Sequence, residues 1–173
     1  MRTVTYGGAV SLDGYLAGAD GAIDWLHFSR DVQQVTASYW KNVDAILMGR
    51  KTYDVARAHG QSGGSSSMRT YVFSRRLSAI DEPGVELVKD DAVGFVRSLK
   101  AQKGKGICLM GGGELAGPLI AAGLVDEIGL NIHPILLGSG IPTFRDIRRR
   151  VALTLVEART LDGGCVLARY TVR

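Results

Sequence analysis

The stretch ICLMGGGELAG, residues 107–117, is an apolar run that breaks on three successive glycines and resumes with helical spacing at Leu115 and Leu119. A short apolar run ending on glycine reads as a strand buried on both faces, the habit of a parallel sheet. Gly111, Gly112 and Gly113 let successive backbone N–H groups turn toward one point, and the helix start behind them adds partial positive charge. A diphosphate suits that cluster of donors; a plain strand-to-helix turn uses the same residues with no ligand. Pro118 fits if the helix starts only a few residues before it, because a first-turn proline has no N–H bond to lose. Gly111 to Ala116 also match G-x-G-x-x-A, but that fingerprint opens a first βαβ unit and needs an acid at the end of the next strand. Here the strand is the fifth, and Asp126 and Glu127 start the strand that follows, so the Rossmann reading is set aside.

The same grammar recurs upstream. In DAILMGRKTYD, residues 44–54, a strand meets Gly49 and then a helix-like start with Arg50, Lys51 and Thr52. Gly49 permits close backbone approach, Thr52 offers a hydroxyl, and Arg50 can pair bidentately with a phosphate; an ordinary βα turn looks alike. In YVFSRRL, residues 71–77, Ser74, Arg75 and Arg76 leave a strand end where a NAD site would place an acid. A hydroxyl with two cations suits a 2′-phosphate instead, hence NADPH over NADH, although arginines after a strand are also common surface residues.

Around these turns, strands are predicted at Thr3–Val10, Asp44–Met48, Thr70–Ser74, Val85–Val88, Gly106–Met110 and Glu127–Ile132. Helical spacing appears at Val32, Val35 and Tyr39, and at Val93, Val96 and Leu99, the latter opened by Asp90 or Asp91 as N-cap. Val151–Ala158 and Cys165–Val172 flank a hairpin signal at Leu161-Asp162-Gly163-Gly164, and the last strand alternates as a half-solvated antiparallel strand does. The fold class is therefore α/β, with a mixed, mostly parallel sheet and an antiparallel C-terminal hairpin in one domain, residues 1–173. Ser62–Ser67 (SGGSSS) reads as a mobile surface loop, too short for a linker.

Composition removes several classes. The chain has 173 residues, 46% of them hydrophobic, which is enough for a core without staples. With only 22% charged residues it is not a disordered chain. No apolar run reaches a membrane span, and the polar start is no signal peptide, so a cytoplasmic protein is expected. The net charge of +4 suits a small anionic ligand. Its one basic cluster, Arg145 to Arg150, lacks the aromatic interleaving of nucleic-acid modules and reads as a solvated loop. Cys108 and Cys165 sit in strand-like runs as buried small hydrophobes. His27, His59 and His133 have no metal-ligand spacing, and His133, before Pro134, reads as packing.

Taken in order, AVSLDGYLAG (9–18), Asp24-Trp25, MGRKTYD (48–54), VFSRR (72–76), MGGGELAG (110–117) and NIHPILLGSGIPTF (131–144) resemble the dihydrofolate-reductase-like family. That family includes dihydrofolate reductase, the reductase half of bifunctional riboflavin-biosynthesis proteins and short stand-alone relatives. The resemblance spans nearly the whole chain. It implies a central eight-stranded sheet flanked by helices, with NADPH at the C-terminal strand ends. Position by position it places Ala9 and Leu16 at the nicotinamide, and Trp25 beside nicotinamide and substrate. Gly49, Arg50 and Thr52 fall at the first phosphate turn, Ser74 and Arg75 at the 2′-phosphate, and Gly111, Gly112, Gly113, Glu114 and Leu115 over the diphosphate. Asn131 is the expected polar group facing substrate; a satisfied internal amide is its structural alternative. The resemblance also implies a homodimer.

The departures fall on the substrate half. Folate reductases carry a buried acid on the first helix; here Trp25-Leu26 leads to His27, Phe28, Ser29 and Arg30, with Asp31 one step out of register. The riboflavin reductases carry a Glu before the glycine loop, where Met110 stands, and a substrate-binding Arg that falls near Trp40. The expected function is an NADPH-dependent reductase of a C=N or C=O group in a small heterocyclic molecule, with Asp24, Asp31 or a water as proton source. The alternative is an NADPH-binding regulatory module without turnover.

Overall fold

The structure, a computed structural model, describes residues 1–60 and 67–173, so all but Ser67 of the predicted SGGSSS loop lies outside the described residues. Among the described residues ten strands and four α-helices follow in the order β1 (Val4–Ser11), β2 (Tyr15–Ala17), α1 (Arg30–Trp40), β3 (Val43–Gly49), α2 (Arg50–Ala58), β4 (Arg69–Phe73), β5 (Val85–Val88) and α3 (Ala92–Ala101). Then come β6 (Gly106–Met110), α4 (Gly113–Ala121), β7 (Glu127–His133), β8 (Ile141–Pro142), β9 (Leu153–Leu161) and β10 (Cys165–Val172).

Eight strands make one sheet in the order β5-β4-β3-β6-β1-β7-β10-β9. Strands β5 through β7 run parallel, and β10 then pairs antiparallel with both β7 and β9. This is the mixed, mostly parallel eight-stranded sheet expected from the sequence. Central strand β3 is buried on both faces because helices cover both. On one face Val96 and Leu99 of α3 and Leu119 and Ile120 of α4 pack on Val4, Tyr6, Leu47 and Leu109. On the other, Tyr39 of α1 and Tyr53 of α2 pack on Ile46, Met48, Val72 and Cys108. Both cysteines are free and buried.

Two expectations need correction, and one strand pair was not foreseen. Strand β9 runs Leu153–Leu161 and not Val151–Ala158, because Leu161 is itself a core residue against Val32 and Cys165. Pro118 is not in a first turn: α4 begins at Gly113, directly on the glycine turn, so Pro118 is its sixth residue and the Glu114 carbonyl loses a helical donor. The pair β2–β8, of three and two residues, went unpredicted because strands that short carry no periodicity.

Helix α4 is held in place by the segment after β8. A methyl group at Gly117 would collide with the Arg145 carbonyl oxygen, and Arg149 donates to the Ile120 carbonyl at 3.2 Å. Gly117→Ala is therefore expected to destabilise the chain by about 1–3 kcal/mol, which lowers Tm by about 2–4 °C per kcal/mol. Gly129→Ala is the control, because its added methyl meets nothing nearer than 3.8 Å. Thermal melts that rank these two the other way round would contradict the packing.

Candidate functional site

Because β4, β3 and β6 are parallel neighbours, the residues leaving their C-terminal ends lie side by side: Ser74 after β4, Gly49 closing β3, and Gly111 after β6. Helices α2 and α4 start from the last two. Their N-caps are Gly49 and Gly112, and neither helix has a side-chain cap. Helices α1 and α3, by contrast, are capped by Ser29 and Asp91. First-turn N–H groups have no intrahelical acceptor, so α2 and α4 present donors and the positive ends of their dipoles at one edge of the sheet. Gly111 and Gly112 adopt φ of 59° and 76°, the left-handed region that favours glycine.

The two turns touch. A methyl on Gly111 would stand 3.2 Å from Thr52 Oγ1, and one on Gly112 would stand 3.7 Å away. Over Gly49 an added methyl meets nothing within 4 Å, so the space above the β3 tip is open. Thr52 thus meets Gly111 and Gly112 across the two turns, while Gly113 packs against Pro142, Thr143 and Arg145.

The charged candidates are arranged less simply. Arg50 pairs with Asp54 at 3.0 Å, so an anion would compete for its guanidinium. Glu114 turns to Arg145 at 3.1 Å, and Leu115 packs into the core while its N–H donates to Gly112. The backbone around Glu114 and Leu115 can serve the turn; their side chains do not. The Ser74 hydroxyl accepts from the N–H groups of Arg76 and Leu77, both at 3.2 Å, and keeps its own proton to donate. Arg75 is exposed and has no ion pair among the described residues.

A second cluster occupies the α1 side of the sheet. Ala9 and Asn131 are register partners across β1 and β7, and Ser11 and His133 follow on the same face. Trp25 meets His133 edge-on, ring centroids 5.3 Å apart. Sequence reasoning took His133 for packing alone. It is 2% exposed and also lies 3.2 Å from the Asn131 amide, 3.4 Å from the His27 N–H nitrogen and 3.6 Å from Cys165 Sγ. The i, i+2 spacing of Asn131 and His133 was the available signal, since it puts both on one strand face. Leu16 sits half-buried on β2.

Asp31 is engaged by local donors. The Ser29 hydroxyl and the Asp162 and Val32 N–H groups donate to it, and these bonds hold its carboxyl below the usual range. It ties α1 to the β9–β10 turn. Asp24 is exposed. A cavity of about 150 Å³ is lined by Val10, Leu130 and Ile132, which alternate with Ala9 and Asn131, and also by Ser11 and Thr143. Among the described residues no group of three or more His, Cys, Asp or Glu could hold a metal, and no helix is long and apolar enough to cross a membrane.

Comparison with known proteins bears on the fold and the family. The chain is 35% identical to the uncharacterized protein YyaP of Bacillus subtilis (strain 168), over 94% of this chain and 90% of YyaP. A crystal structure of a putative riboflavin biosynthesis protein from Shewanella sp. PV-4 superposes with a TM-score of 0.86 at 26% identity, covering 99% of each chain. Dihydrofolate reductase from Enterococcus faecalis, complexed with NADP(H), shares the fold with a TM-score of 0.70 at 14% identity, over 99% of this chain and 96% of that one. The family model described as the RibD C-terminal domain matches residues 2–167, and the chain belongs to that family.

Proposed function

We propose that the chain is an NADPH-dependent reductase that delivers hydride to a C=N or C=O group of a small pyrimidine- or pteridine-like heterocycle. The observation that carries the reading is the meeting of two uncapped helix starts over glycine strand tips, with Thr52 against Gly111. Family membership supports it, as does the NADP(H) held by a relative of the same fold.

When bound, the cofactor supplies the hydride. The chain's own residues bind and align it. The N–H groups at the starts of α2 and α4 donate to the diphosphate, each helix end contributing about 0.3–2 kcal/mol. Thr52 donates its hydroxyl at the seam between the two turns. Arg50 exchanges Asp54 for phosphate. Ser74 donates to the 2′-phosphate, and Arg75, free of any ion pair among the described residues, pairs with it. At the other end Ala9, small and beside Asn131, lets a flat ring lie against the sheet, while Trp25 closes the side and excludes water.

Titrating NADPH while following tryptophan emission is expected to saturate, with NADH binding much more weakly. Arg75→Ala should weaken NADPH about tenfold or more, the order of one lost charge-assisted hydrogen bond, and leave NADH nearly unchanged. Thr52→Val should weaken both cofactors alike. Equal losses for Arg75→Ala would remove the 2′-phosphate assignment, and no saturation up to millimolar NADPH would remove the reading. Saturable binding without cofactor oxidation across carbonyls, imines and pterins would point instead to a regulatory module.

A further inference from the structure

Strands β9 and β10 have chemically opposite faces. Arg169 stands across from Glu157, Arg159 joins them, and Leu167 of the same face packs on Val32 of α1, so these charges lie on the α1 side. The other face holds Leu155, Ala158, Val166 and Tyr170, with no charge among them. Its outer part is uncovered. The core cluster ends at half-buried Tyr170 and Val172, and Leu153 and Leu155 of the edge strand remain 40% and 54% exposed.

Tyr170 pairs with Ile128 of β7, and Leu130 and Ile132 continue that face. With Val10, Leu12 and Phe144 they line the cavity of about 150 Å³. The hydroxyls in its wall are engaged elsewhere, Ser11 donating to Asp13 and Thr143 to the Gly14 carbonyl. An apolar group therefore fits the cavity, and the volume suits one leucine-sized or phenyl-sized guest. Leucines that project and a cavity that can receive them thus share one face. Two copies about a two-fold axis set residue i against j and j against i, so a face that carries both is complementary to itself.

Two further observations favour a second copy as the occupant. The sheet edges differ: β5 has four residues, follows Pro83 and Gly84 and ends on Lys89, whereas β9 has nine residues with neither Pro nor Lys. Solvent-facing edges are kept short or guarded by such residues, and a long unguarded edge is one that a partner shields. The area is also sufficient. Leu12, Phe144, Leu153 and Leu155 are 40% to 65% exposed, which leaves on the order of 400 Å² of apolar surface open, the size of a patch that marks an interaction site. Homodimer interfaces are about 65% apolar, so this patch supports about 600 Å² per copy, or about 1,200 Å² in all, the lower end of stable interfaces.

We propose that this face is the interface of a two-fold homodimer, with Leu155 of each copy seated in the cavity that Val10, Leu130, Ile132 and Phe144 line in the other. The homodimer implied by resemblance thereby gains a surface and a contact. The proposal stands apart from the cofactor reading, because β9 is the edge strand farthest from β4 and β3 and its pairing leaves their tips open.

Sedimentation velocity of the full chain is expected to give twice the mass of one chain at micromolar concentration. A monomer up to millimolar concentration, which would leave the face to a different partner, overturns the proposal. Leu155→Glu should weaken self-association about thirtyfold or more, the effect of losing a hot-spot side chain. Phe28→Glu, an equally exposed apolar site before α1, should leave the dimer intact. Equal effects of the two substitutions overturn the assignment of the face. A mixture of Leu155→Cys and Leu12→Cys chains tests the seating, since Cys108 and Cys165 are buried. A short bismaleimide should join the two kinds of chain to each other, and a dimeric sample in which it joins none overturns the contact. Should Leu155→Glu not fold, the wild-type mass and the cross-link decide.

Discussion

Two helices N-capped by glycine at neighbouring parallel strand tips have no capping side chain for their first N–H groups, and this constraint organises the molecule. The sheet order β4-β3-β6 brings the tips together. Gly49 and Gly112 cap α2 and α4 with no side chain of their own, so no capping side chain claims the leading donors at the strand tips. Close packing behind them keeps the helices in place. Leu115, Leu119 and Ile120 anchor α4 in the core, and the segment after β8 lies too close to Gly117 to admit a methyl. The fold thus fixes an electropositive edge before any ligand is considered.

Much of this was legible in the sequence because it is written in short-range patterns. Apolar runs ending on Gly49 and Gly111 located both turns, and the spacing of Val32, Val35 and Tyr39 and of Val93, Val96 and Leu99 located two of the helices. What escaped was set by contacts distant in sequence. Leu161 is a strand residue because Val32 and Cys165 enclose it, and β2 finds β8 more than a hundred residues away. The side chains of Arg50 and Glu114 matched phosphate positions by order alone, yet local geometry engages them with Asp54 and Arg145.

The cluster on the α1 side of the sheet shows the same division. Asn131 and Trp25 were readable as candidates by resemblance. His133 was not, because its neighbours, the His27 backbone and the Cys165 thiol, are brought to it by the chain's long-range path. Asp31 went the other way. An acid on the first helix invites a catalytic reading, and three donors turn it into a structural tie. Order along the chain reports which elements exist; only their meeting reports which side chains are spoken for.

A backbone amide 1H–15N shift map of the full chain, recorded with and without NADPH, tests the central claim most directly. The account predicts that the largest shifts, with slowed hydrogen exchange, fall on Lys51, Thr52, Gly112 and Gly113, the amides opening α2 and α4. Shifts of equal size at the starts of α1 and α3, or none at these four amides under saturating cofactor, would contradict it.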